Sequence, residues 1–118
     1  LKRAREDDSR TRDWIVDWGS PQTNGVCCYV NGITLSIYRQ SVRYEVYNDA
    51  YSITKLESPR DPLLFRQGEW THLAITHVVR DSRAYIWING RVVAEGYVQT
   101  AKSVQREWYY IGRSIGGG

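Results

Sequence analysis

Residues 68–96 read GEWTHLAITHVVRDSRAYIWINGRVVAEG, the most regularly patterned run in the chain. Trp70 to Val79 is rich in apolar and β-branched residues without a helical period, so it reads as a strand. Arg80, Asp81 and Ser82 are turn-forming. Arg83 to Ile88 reads as the returning strand, with Tyr85 and Trp87 opposite the apolar Ala84, Ile86 and Ile88. Asn89-Gly90 then supplies the two residues that best tolerate positive φ in a type I′ turn, and Arg91 to Glu95 follows as a third strand. Trp108 to Ile111 makes a last short strand.

Toward the N-terminus the same period of two recurs. Ile33, Leu35 and Ile37 share one face, with Thr34, Ser36 and Tyr38 on the other. Val42, Tyr44 and Val46 oppose Arg43, Glu45 and Tyr47, so both strands are expected to have one dry and one wet face. Asn31-Gly32 predicts a second hairpin, between Val26–Val30 and Ile33–Tyr38. Trp14, Val16 and Trp18 form a short strand expected to stop at the turn-forming GSPQTNG, and Tyr51 to Leu56 is a further candidate before a loop carrying Pro59 and Pro62. Roughly eight strands and no convincing helix predict an all-β, antiparallel sandwich. Composition agrees: 27 Val, Ile and Thr stand against 12 Leu and Ala, and the 118 residues suffice for one domain.

Residues 1–12 hold five basic and three acidic side chains and little apolar pattern, so they read as a solvated charged tail or an insertion, with the domain spanning 13–118. The net charge of +3 leaves the remainder nearly neutral, and its arginines alternate with acids. That distribution argues against a nucleic-acid footprint. No apolar run is long enough to cross a bilayer as a helix. Cys27 and Cys28 are neighbours, too constrained for an ordinary disulfide, which leans toward a reducing compartment. His72 and His77, five apart in one expected strand, face opposite ways and cannot chelate one ion together, so with the cysteines they do not make a structural zinc site.

The ordered set Trp70 and His72, then Ile86, Trp87, Ile88, Asn89 and Gly90, then Ile111 and Gly112 resembles the laminin G-like members of the concanavalin A-like lectin/glucanase superfamily. The match covers about 49 residues, Trp70 to Gly118. The resemblance implies a jelly-roll β-sandwich, in which Trp70, His72, Asn89, Gly90 and Gly112 are structural and the His72 imidazole bonds backbone or a neighbour. It also implies further strands on either side of this set, so the sandwich is expected to be incomplete at both ends, with a larger parent chain or a partner supplying the rest. An extracellular or cell-surface location follows from the resemblance, against the cysteine argument.

Laminarinase-type hydrolases of the superfamily carry an E-x-D-x-x-E strand. No such spacing occurs among these acids, and Glu45 and Asp49 would sit roughly 13 Å apart along a strand. The expectation is therefore no enzyme and no required cofactor, but a recognition module for a glycan or protein partner. Tyr47, Tyr85 and Trp87 are its candidate binding rings, since flat rings with a polar edge suit sugar faces and protein surfaces. Calcium, which many laminin G-like domains bind, would have Asp49 or Asp81 as candidate ligands, yet one carboxylate cannot supply six to eight oxygens. Alternative readings are a structural subunit that uses a lectin-like fold for packing in a large complex, favoured by the Arg-rich tail, and, more remotely, a glycoside hydrolase.

Overall fold

The structure, a computed structural model, describes residues 12–21, 29–48, 52–62, 66 and 68–112. Among these residues the chain forms strands β1 (Arg12–Pro21), β2 (Tyr29–Tyr38), β3 (Ser41–Tyr47), β4 (Ile53–Glu57), β5 (Leu73–Val78), β6 (Arg83–Ile88), β7 (Arg91–Tyr97) and β8 (Trp108–Ile111). One 3-10 turn, Val79–Asp81, joins β5 to β6. The strands make two antiparallel sheets, one ordered β4-β3-β2-β1-β8 and the other β5-β6-β7. No helix among the described residues is long and apolar enough to cross a membrane.

The two sheets share one core. Ile37, Val42, Tyr44, Val46 and Leu56 from the first meet Ala84, Ile86 and Ile88 from the second, and Val98 completes the cluster. Those on β2, β3 and β6 are presented by the period-two alternation seen in the sequence, and each fully buried Val or Ile side chain stabilises the fold by about 1.5–3 kcal/mol. The core stops short of the β1–β8 edge. Tyr109 and Ile111, paired with Trp18 and Val16 on the inward side of the sheet, stay 58% and 80% exposed.

A long connection, Val98 to Glu107, crosses from the small sheet to the large one and is fastened by polar side chains. The Gln99 amide donates to the Val46 and Ser52 carbonyls at 2.9 and 2.7 Å. Asn48 brackets the chain by donating to the Thr100 carbonyl and accepting from the Lys102 backbone N–H. The Arg106 guanidinium donates to the Asn31 carbonyl at 2.6 Å.

Several turn expectations are corrected. Asn31-Gly32 is not a hairpin, because β2 runs unbroken from Tyr29 to Tyr38. Between the pairs Trp18–Ile33 and Ser20–Val30, two residues of β2 face one of β1, so the positive φ of Asn31 (55°) is taken up by a β-bulge. The true turn lies at Arg39-Gln40, which closes the pair Tyr38–Ser41 with φ values of 50° and 64°. Left-handed backbone costs an L side chain about 1–2 kcal/mol, so nothing in these residue types announces the turn. It is braced by Asp61, whose N–H donates to the Gln40 carbonyl, while Ser58 exchanges bonds with the Val42 backbone. Strand β1 likewise passes through Gly19 and Ser20 to Pro21, and a second irregularity between Trp14 and Val16 turns Ile15 toward the core. Asn89-Gly90 does form the expected turn, with φ of 50° and 79°. Strand β1 starts at Arg12, one residue before the expected domain boundary; residues 1–11, Cys27, Cys28 and Asp49 lie outside the described residues.

Candidate functional site

The outward face of the five-stranded sheet departs most from its sequence reading. Asp17, Thr34, Glu45 and Lys55 form one cross-strand row over β1, β2, β3 and β4, with Ser36 and Arg43 in the next. Thr34 and Ser36 were expected on a wet face, yet they, Asp17 and Glu45 are buried. The cause is a side-chain arch. Arg12 on β1 reaches across β2 to Glu45 on β3, its Nη1 lying 3.2 Å from Oε1, and the Tyr47 hydroxyl donates to the other Glu45 oxygen at 2.6 Å. Beneath the arch, the Thr34 and Ser36 hydroxyls have no hydrogen-bond partner among the described residues. A buried hydroxyl left unpaired costs about 1–3 kcal/mol, which a hydrogen-bonding ligand would recover.

Rings frame this floor. Tyr38 ends β2 with three guanidinium carbons around it, those of Arg12, Arg39 and Arg43 at 5.1, 5.2 and 4.8 Å from its centroid. Arg12 also lies 5.0 Å from the Trp14 ring. Arg43 is neutralised by Glu57, to which both its Nε and a terminal nitrogen donate. At the β8 side Trp108 stacks on Tyr110, with centroids 6.3 Å apart and planes 12° apart.

The three candidate rings do not meet. Tyr47 belongs to this face, whereas Tyr85 and Trp87 project from β6 on the outward side of the other sheet, with the shared core between them. Tyr85 and Trp87 sit 6.5 Å apart, and the Trp87 indole N–H is already engaged by the Thr76 hydroxyl at 2.9 Å. The face around them is open; its ion pair, Arg83 with Glu95, is loose at 3.6 Å and half exposed.

The W-x-H motif behaves differently from its expectation. Strand β5 begins only at Leu73, so Trp70 and His72 lie ahead of it, and Trp70 is 78% exposed. His72 contributes its backbone: its N–H donates to the Asn89 side chain, and its carbonyl accepts from the Asn89 N–H, both at 2.9 Å. Asn89 thus has a structural task as well as its turn geometry, and Gly112 adopts φ of 78° while its N–H donates to the Ile15 carbonyl. The histidine whose ring is engaged is His77. A carbonyl can only accept, so His77 Nε2–H donates to Val98 at 2.9 Å and Nδ1 accepts from the Tyr44 hydroxyl at 3.0 Å. This links β3 of one sheet to β5 of the other, and burial raises the Tyr44 phenol above its ordinary value.

Asp81 stands exposed in the 3-10 turn, 3.6 Å from Arg80. Among the described residues, no three His, Cys, Asp or Glu side chains are grouped so as to hold a metal ion. Sequence periodicity missed Arg12, Thr34, Ser36 and Arg39 because their roles arise across strands; the only available signal was the excess of Arg, 13 against 3 Lys. No family model, curated protein or solved structure matches the chain.

Proposed function

We propose that this chain is a non-catalytic recognition module, a laminin G-like jelly-roll sandwich, that binds a glycan on the outward face of its five-stranded sheet as part of a larger polypeptide or assembly. The observation that carries this reading is the pair of buried, unpartnered hydroxyls, Thr34 and Ser36, set beneath Arg12 and framed by rings. Saccharides offer many donors and acceptors beside flat apolar patches, and such a floor complements both once the Arg12 side chain, itself part-exposed, swings off Glu45 to uncover it. Glu45, engaged by Arg12 and Tyr47, serves as a fixed acceptor, and the module recognises its ligand without cutting it. Calorimetric titration with oligosaccharides chosen from a glycan array, with and without calcium, tests the reading. Thr34→Val should lower affinity at least tenfold in a folded protein; unchanged affinity rejects the site.

A second reading, a structural subunit that packs in a large complex, is favoured by the inward surface that β8 leaves open, where Tyr109 and Ile111 are exposed. Contiguous exposed apolar surface of this kind marks protein contacts. In that case hydrogen exchange at Tyr109 and Ile111 should slow only in the assembled complex, and equal protection in the isolated chain rejects it.

A further inference from the structure

Burial fades across the inward face of the five-stranded sheet. Val42 and Val46 on β3 are fully buried, Ile33 and Leu35 on β2 are partly buried, and Tyr109 and Ile111 on β8 are 58% and 80% exposed. The small sheet fades toward the same side, since Ile86 and Ile88 on β6 are buried and Leu73 and Ile75 on β5 only half-buried. The cause is the placement of the sheets. Strand β7 lies against β4, where Gly96 faces Leu56, and His77 on β5 bonds Tyr44 on β3. Three strands thus cover β4, β3 and β2, and β1 and β8 project beyond them. Among the described residues nothing pairs with the outer edges of β5 and β8. The cross-section is a step, two strands or about 10 Å wide, floored by Val16, Trp18, Tyr109 and Ile111.

We propose that a second copy of this chain fills the step, in a two-fold dimer whose axis runs parallel to the strands, midway between the two layers. The step is complementary to itself. Under this rotation β8 and β1 of the second copy take the free places beyond β5, and β5 of the second copy lies beyond β8, so each layer becomes one continuous sheet. Strand directions agree. Strand β5 ends at Val79 beside Thr100, and β3 ends beside the same residue through Asn48, so β5 runs with β3 and against β8. An axis along the strands preserves direction, and β5 therefore meets β8 of the second copy antiparallel. Heights agree as well: Ile111, Val16, Leu35 and Tyr44 form one cross-strand row, and Tyr44 bonds His77, which sets β8 level with β5. Tyr109 and Ile111 of each copy then pack on Trp18 and Val16 of the other, an isologous contact.

Other ways of joining two copies fail. Pairing β5 with its own copy drives the projecting large sheets into each other, and pairing β8 with its own copy leaves both inward faces bare. A specific interface buries about 1,000 Å² or more; the four residues of β8 alone fall short of that, and the reciprocal arrangement adds β1 and the edge of β5 from each copy. Both edges that invite mispairing are closed at once. The outward glycan face stays free, so the dimer goes beyond that reading, and it occupies the surface that packing in a larger complex would use.

The test is sedimentation velocity of the intact chain over a concentration series, with hydrogen exchange at both ends of the series. A monomer–dimer equilibrium ending at twice the chain mass is expected, and the outer-edge amides of β5 and β8 should slow together as the dimer forms. Ile111→Lys, at a position 80% exposed in the single chain, should weaken the dimer at least tenfold and return both strands to fast exchange, with an unchanged circular dichroism spectrum. Tyr109→Ser should act in the same direction and replaces it if the lysine disturbs folding. Ile53→Lys on the β4 edge and Val92→Lys on β7, both exposed, should leave the dimer unchanged. A monomer at every concentration overturns the proposal, as does an open-ended series of larger species. So does a dimer that Ile53→Lys or Val92→Lys breaks and Ile111→Lys does not, or one that protects β8 without β5. Saccharide titration of Ile111→Lys keeps the two readings apart, because the glycan face predicts unchanged affinity whichever way the dimer experiment falls.

Discussion

The two outward faces of the sandwich carry the same period-two pattern of polar and aromatic residues and have become different surfaces. On the three-stranded sheet Tyr85, Trp87, Thr76 and Glu95 stand side by side, and the indole of Trp87 is satisfied by its neighbour. On the five-stranded sheet long side chains from β1 and β3 arch over β2 and shut its hydroxyls away from water. Whether a polar face is wet thus depends on which long side chains flank an interior strand, since β6 is interior too and has no such pair across it among the described residues. An arch needs an interior strand with an Arg on one neighbour and a carboxylate on the other, two strand spacings or about 10 Å away.

The sharpest way to break the contrast is to remove matched acids from each face. Glu45→Ala should cost about 3 kcal/mol in urea unfolding, since it leaves Arg12 partly buried without its partner. Glu95→Ala, removing the exposed partner of Arg83, should cost no more than about 0.5 kcal/mol. Equal losses would show that the arch is as loosely solvated as the open face. Thr34→Val should move stability the other way, by up to about 1 kcal/mol, because an apolar group of similar shape replaces a buried hydroxyl without a partner. Thr76→Val on the open face removes the bond to Trp87 and should destabilise by about 0.5–1 kcal/mol.

A pH titration separates the bridge between the sheets from both faces. Burial raises the Tyr44 pKa, so the fold favours the protonated phenol. Its contribution is whole below the unfolded value near 10 and declines as pH rises past it toward the folded value. Wild-type stability should therefore fall more steeply above pH 10 than that of Tyr44→Phe, with the two curves parallel at neutral pH; curves parallel throughout would remove Tyr44 as the cause. The smallest change is expected from Asp81→Ala, whose partner Arg80 is almost fully solvated and whose loss should be undetectable in thermal unfolding.

Much of the fold was legible because core positions repeat locally. Ala84, Ile86 and Ile88, or Val42, Tyr44 and Val46, announce their shared face within a few residues, and the strands Arg83–Ile88 and Trp108–Ile111 have the bounds their sequence predicts. The two Asn-Gly pairs show the limit. Positive φ at Asn31 and at Asn89 is common to a bulge and a turn, and only the register with β1 distinguishes them. The candidate site was harder still. Arg12 and Glu45 are 33 residues apart, and no pattern within either strand states that they meet above Thr34. Tyr47, Tyr85 and Trp87 were each correctly placed opposite apolar positions, but membership of different sheets separates them. The histidines teach the same lesson: His72 carried the motif, whereas His77, chosen by its reach to Tyr44 and Val98, carries the bonds.

Strand β8 lies against β1, the last described strand beside the first. During synthesis the meander β1 to β4 can zip up as its strands emerge, since each pairs with the next. Among the described residues, the edge of β1 meets its partner β8 only after β5, β6, β7 and the connection through Arg106 have left the ribosome. The β1–β8 pairing is therefore the least local in the large sheet, and closing it is the step of sheet assembly with the largest loop to order.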